Sequence, residues 1–114
     1  MRLGVIGTGH MAREMAAAAD AVTGIKIASV LSREADKARQ FAVSFAPGAV
    51  DFSEIEPFLD SIDAVYVATP PGAHMASVSA ALEAGRPVLC EKPLTVSTRD
   101  TDQLVAQALS LIHI

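Results

Sequence analysis

Short apolar runs of strand length alternate along the chain with longer segments of helical character. Arg2 to Ile6 is the first run, and the Ala- and Met-rich stretch His10 to Asp20 after it predicts a helix that Gly24 closes. A second strand, Ile25 to Leu31, is almost continuously apolar, as a strand buried on both faces should be. Glu34 to Phe45 reads as a helix, with Glu34 and Asp36 in its first turn and Lys37 and Arg39 later, an arrangement that suits the helix dipole. Ala46-Pro47-Gly48 breaks it and a weak strand around Ala49-Val50 follows. Ser53-Glu54-Ile55-Glu56 has the form of a capping box and predicts a short helix ending near Asp60. Asp63 to Ala68 is the fourth strand. Thr69-Pro70-Pro71-Gly72 then turns the chain into a helix from Ala73 to Ala84, with Gly85 as its left-handed stop. Val88 to Cys90 is the fifth strand, and Ser97 caps a last helix from about Thr98 to Leu109. Five alternations of strand and helix predict an α/β fold: one doubly wound parallel sheet with right-handed crossovers, Rossmann-like, in a single domain.

Composition narrows the picture. A chain of 114 residues is long enough for one core. Hydrophobic residues make up 51% of it, yet aromatics only 4% and tryptophan none, so the core must come from Ala, Val, Ile and Leu. Thirteen acids against nine bases give a net charge of −4 without a basic run, which argues against a nucleic acid as partner. Cys90 is the single cysteine, so no internal disulfide can form and a reducing, cytoplasmic setting is expected. The chain enters a strand at Arg2, which leaves no room for a signal peptide, and no apolar run approaches the roughly 18 residues of a membrane span. No membrane partner and no metal centre are expected.

The candidate chemistry begins with Gly7-Thr8-Gly9-His10-Met11-Ala12, a glycine fingerprint placed between a strand and a helix. Gly7 allows the tight turn, Gly9 lets the backbone approach a pyrophosphate, and Ala12 keeps the helix close to the sheet. The phosphates would sit on free N–H groups at the helix start, those of His10 and Met11, with the His10 ring secondary. At the end of the second strand, Ser32 and Arg33, with Lys37 one turn on, stand where a carboxylate would bind a ribose diol. A hydroxyl and cations suit a 2′-phosphate better, so NADP is slightly preferred over NAD. The alternative is that Arg33 and Lys37 are solvated surface cations. Thr69 and Pro70 lie at the end of strand four, where the strand order should reverse and ligands bind, and His74 either faces that ligand or caps the turn.

Glu91-Lys92-Pro93 follows the fifth strand. Glu91 is expected to turn outward while Pro93 fixes the next peptide, so that Lys92 is presented over the crevice beside the cofactor. A partly desolvated lysine there can hold a substrate hydroxyl and move its proton as hydride leaves. The alternative is an exposed charged pair before a loop.

These blocks together, with Ala64-Val65-Tyr66-Val67-Ala68-Thr69-Pro70-Pro71 and Ala84-Gly85-Arg86-Pro87-Val88-Leu89-Cys90-Glu91-Lys92-Pro93-Leu94, resemble the N-terminal domain of the Gfo/Idh/MocA oxidoreductases, which include glucose–fructose oxidoreductase and inositol dehydrogenase. The resemblance runs from about Met1 to Ala108. It implies that Lys92 sits at the nicotinamide and assists acid/base chemistry, and that the Lys92–Pro93 peptide is often cis. Pro71 stands where the family commonly has Asn. It also implies a sugar, cyclitol or related polyol as substrate, a homo-oligomeric full-length form, and a second α/β domain that carries the substrate site. That second domain is missing from 114 residues, so the chain is expected to be a cofactor-binding fragment, inactive alone; a nucleotide-binding module without catalysis is the alternative. Residues 109–114, Leu-Ser-Leu-Ile-His-Ile, are also the in-frame translation of CTGTCTCTTATACACATC, a transposase end used in tagmentation libraries. The expected division is therefore a domain over 1–108 and a non-native tail over 109–114. The alternative is that Leu111 to Ile114 opens a sixth strand.

Overall fold

The computed structural model describes residues 1–91, 95 and 97–110. Strands β1 (Arg2–Ile6), β2 (Lys26–Leu31), β3 (Val50–Phe52), β4 (Ala64–Val67) and β5 (Val88–Cys90) form one parallel sheet in the order β3-β2-β1-β4-β5. Between and after them run helices α1 (His10–Asp20), α2 (Ala35–Phe45), α3 (Ile55–Asp60), α4 (His74–Glu83) and α5 (Thr98–Ser110). Helices α1 and α2 cover one face, burying Ala12, Ala16, Ala38 and Phe41 with Leu3, Val5 and Tyr66 of the sheet. Helices α3, α4 and α5 cover the other, where Phe58, Ile62, Val78 and Leu104 pack with Ile6, Val65 and Val67. The sheet is thus wound on both faces, as the alternation of apolar runs predicts.

Strand β2 shows how the two cores share one strand. The β1–β2 register slips by one residue between Leu3 and Gly4, so that Leu3 pairs with Ile27 but Gly4 with Ser29. Ile27 and Val30 consequently face the same core although three residues apart. Ser29 is left on the opposite side, 1% exposed, where its hydroxyl meets that of Ser61 at 2.7 Å. The almost continuously apolar strand therefore carries a satisfied polar pair. Gly4 packs under α3 so tightly that a Cβ would lie 2.6 Å from Ile62 and Phe58.

Element boundaries fall within one or two residues of expectation, with three instructive differences. The capping box of Ser53 and Glu56 does not form; the helix starts at Ile55 with Glu54 at the cap and no side-chain cap bond. Pro57 explains this. A helix capped by Ser53 would need the Pro57 N–H for its first bond and would press the proline ring against the Ser53 carbonyl, whereas a start at Ile55 puts Pro57 in the first turn, where no N–H is needed. Helix α1 is ended at Ala21, and Gly24, with φ +93°, turns the chain into β2 rather than stopping the helix. Helix α4 starts at His74, after a single 3-10 turn over Pro71–Ala73.

Two end signals are realised. Gly85 adopts φ +74°, its N–H bonds Leu82 and the Arg86 N–H bonds Ala81, a Schellman stop. Ser97 Oγ accepts the Asp100 N–H at 3.1 Å and so caps α5. That helix runs through residues 108 and 109 to Ser110, while Leu111 to Ile114 lie outside the described residues. β5 is an edge strand among the described residues; its Leu89, 59% exposed, borders an open apolar groove with Met15, Val22 and Pro87.

Candidate functional site

The chain leaves β1 toward β2 and β3 on one side, then returns to β4 and β5 on the other, so the order reverses between β1 and β4. In an open α/β sheet such a switch point, at the carboxyl ends of the strands, is where ligands bind. Each outgoing loop begins with one further ladder bond: Gly7 N–H to Leu31, Ser32 N–H to Phe52, Ala68 N–H to Ile6 and Glu91 N–H to Val67, all at 2.9–3.2 Å. The loops around the switch point are therefore held at their roots by the sheet.

Gly7 and Gly9 differ in why they are glycine. Gly7 has φ +111°, and a Cβ on it would meet the Ala68 carbonyl oxygen at 2.9 Å, so fold geometry alone demands it. Gly9, the cap of α1, has φ −84°, and a Cβ would meet nothing among the described residues within 4 Å. Beyond it, the Arg13 N–H makes the first helical bond, to Gly9, which leaves the N–H groups of His10, Met11 and Ala12 without helical acceptors. The His10 ring is turned along the helix, 3.5 Å from the Glu14 carboxylate, and Met11 is exposed.

At the end of β2, Ser32 Oγ accepts the Glu34 N–H at 3.3 Å, and Lys37 Nζ lies 3.4 Å from the Glu34 carboxylate. Arg33 is exposed and forms no ion pair among the described residues. Of the cations expected to await a phosphate, Lys37 is thus already neighboured by an acid, Glu34.

The loop after β4 is braced by His74. The residue is 1% exposed, and its Nε2 lies 2.6 Å from the Thr69 carbonyl oxygen, so it shapes the turn from within. Pro70 accepts the Ala73 N–H at 2.9 Å. The Thr69 hydroxyl is buried with no hydrogen-bond partner among the described residues, a state that costs about 1–3 kcal/mol unless something satisfies it.

Glu91 does not turn outward. It is half-buried, and its carboxylate accepts a hydrogen bond from the Tyr66 hydroxyl on the neighbouring strand. Burial, and then the Glu91 carboxylate, hold the Tyr66 phenol well above its ordinary range; burial and the same negative charge raise the Cys90 thiol. The β4–β5 register, Tyr66 opposite Leu89 and Val67 opposite Cys90, brings a phenol to the end of β5, and its hydrogen bond holds the carboxylate inward. A tyrosine inside an otherwise aliphatic strand was the signal in the sequence. Lys92, the Lys92–Pro93 bond and Leu94 lie outside the described residues. No helix among the described residues is long and apolar enough to cross a membrane.

Known proteins share this architecture. The chain is 41% identical over 109 residues to dTDP-3,4-didehydro-2,6-dideoxy-alpha-D-glucose 3-reductase of Saccharopolyspora spinosa, covering 95% of this chain and 33% of that protein. It is 37% identical to inositol 2-dehydrogenase of Corynebacterium glutamicum, across 100% of this chain and 35% of the relative. A 3-ketoreductase from Actinomadura kijaniata, solved with NADP and TDP-benzene, superposes with a TM-score of 0.87 at 33% identity over 97% of this chain and 34% of its own. Myo-inositol dehydrogenase from Lactobacillus casei, solved with NAD(H) and myo-inositol, gives 0.89 at 29% identity, over 96% of this chain and 33% of its own. The chain spans about a third of the length of the relatives it matches. Residues 1–111 match the NAD-binding Rossmann fold of the Gfo/Idh/MocA oxidoreductases, and with the reversal of strand order behind the glycine loop the chain belongs to that family.

Proposed function

We propose that this chain is the cofactor-binding part of an oxidoreductase that moves hydride between NAD(P) and an alcohol or carbonyl carbon of a sugar, cyclitol or related polyol. The observation that carries the reading is Gly9: neither its backbone angles nor its neighbours require glycine, and it stands at the start of α1 beside N–H groups that lack helical acceptors. A pyrophosphate approaching that turn supplies the missing reason. The Thr69 hydroxyl at the end of β4, without a hydrogen-bond partner among the described residues, adds a second polar group for a ligand to satisfy.

In this reading Gly7 forms the turn and the His10 and Met11 amides hold the pyrophosphate. Ser32, Arg33 and Lys37 face the adenosine ribose; Arg33, exposed and without an ion pair among the described residues, is the group for a 2′-phosphate, so NADP keeps a slight preference over NAD. Thr69, Pro70 and His74 shape the wall between the two halves, and Glu91 and Lys92 close the nicotinamide end. A nicotinamide bound there would supply the hydride acceptor for oxidation and the hydride donor for reduction. Lys92 works on the proton: as a neutral amine it takes the proton of the substrate hydroxyl while the C–H hydride departs and the carbonyl forms, and as an ammonium it returns that proton on reduction. The full-length enzyme would supply the substrate contacts, and the homo-oligomer, from the portion that its relatives carry beyond this domain.

Calorimetric titration with NADPH and NADH tests the reading. Both should bind, NADPH the tighter. Gly9→Val should weaken binding about a hundredfold or more, with the circular dichroism spectrum unchanged because a Cβ there has no described residue within 4 Å. Undiminished affinity in the variant refutes the loop assignment. Binding by a full-length protein that turns over no polyol would favour the non-catalytic module.

A further inference from the structure

Tyr66 is a phenol in a strand whose other members, Ala64, Val65 and Val67, are apolar. It is 2% exposed within the core that α1 covers, and a phenylalanine would fill the same space. The hydroxyl is explained by its partner: it donates to Oε1 of Glu91, whose own backbone N–H is fixed to the Val67 carbonyl at 3.0 Å. Glu91 is thereby held at main chain and side chain by the same strand. A carboxylate that accepts one bond at Oε1 keeps acceptor capacity at Oε2, which has no hydrogen bond among the described residues.

We propose that Tyr66 is a positioning residue of the cofactor site, acting through Glu91: by holding one carboxylate oxygen it turns the other toward a hydroxyl donor of the bound dinucleotide. This rests on the reading above, in which Glu91 meets the cofactor. The phenol is suited to the task because its buried ring has few orientations, and because a hydrogen bond to a charged acceptor is stronger than one between neutral groups. Its raised ionisation range also keeps it a donor throughout the physiological range.

A double-mutant cycle in NADPH and NADH affinity tests the inference on the full chain. Tyr66→Phe should keep the fold and weaken binding about tenfold, the worth of one charge-assisted hydrogen bond. Glu91→Ala should weaken it at least as much. Adding Tyr66→Phe to Glu91→Ala should then cost nothing further, which a merely structural tyrosine would not produce. The chain has one tyrosine and no tryptophan, so near-ultraviolet absorbance follows Tyr66 alone. Its ionisation should fall to lower pH in Glu91→Gln, a measurement that stands even if Tyr66→Phe does not fold. Unchanged ionisation, undiminished affinity in Tyr66→Phe, or losses that simply add would each overturn the inference and leave the cofactor reading intact. A wild-type chain that binds neither dinucleotide would overturn the cofactor reading and the inference with it.

Discussion

At the amino edge of the sheet polar groups are answered by the protein itself, whereas at the carboxyl edge several are not. Asp63, preceding β4, takes the Arg2 N–H at 2.8 Å and its guanidinium at 3.2 Å. Arg86, preceding β5, donates to the Leu59 and Ala84 carbonyls, and the terminal ammonium of Met1 donates to Gly24. At the other edge Gly9 faces open space, the first amides of α1 lack helical acceptors, the Thr69 hydroxyl is unpartnered among the described residues, and Arg33 is exposed. All five strands are parallel, so helices that follow strands direct their N-termini, the positive ends of their dipoles, toward the carboxyl edge. The fold makes the two edges electrostatically unequal before any side chain is chosen. A ligand therefore belongs at the edge that the protein leaves unsatisfied.

The sharpest attack on this contrast is at the carboxyl edge. In the full-length enzyme, Lys92→Ala should lower turnover by about a hundredfold or more, as loss of general acid/base catalysis implies, while cofactor affinity by titration changes little. Near-normal turnover would return Lys92 to an ordinary surface cation. Next comes the sheet interior, where Gly4→Val places carbon 2.6 Å from Phe58 and Ile62 and should cost about 1–3 kcal/mol in denaturant unfolding. Its dinucleotide affinity, measured on folded protein, should be unchanged, the inverse of Gly9→Val. A stable Gly4→Val protein would show that α3 can shift freely. The smallest effect belongs to the amino edge. The Arg2 amide and guanidinium favour the charged form of Asp63 and hold its carboxyl below the ordinary value. The stabilisation is therefore present above roughly pH 4, where the unfolded carboxylate is charged, and is lost as pH falls through the lower native value. Asp63→Asn should lower the melting temperature slightly at neutral pH, and the gap to wild type should close in acid. A gap that persists there would assign the loss to packing.

How far each part was legible follows from the range of the interaction that decides it. Strand and helix alternation, the Gly85 stop, the Ser97 cap and the Gly7 turn depend on neighbours within a few residues, so the amino-acid sequence determined them directly. A local pattern misled where a second local rule competed, as Pro57 did against the capping box at Ser53. The slip between Leu3 and Gly4, the Ser29–Ser61 pair and the inward turn of Glu91 are different in kind. Each depends on which residue a neighbouring strand or helix brings alongside, 25 positions away for Tyr66 and Glu91 and 32 for the serines. A local segment can show that a polar group needs a partner, as Tyr66 does in its aliphatic strand, but not which residue it meets, because strand register emerges only when the two cores on opposite faces of the sheet close together.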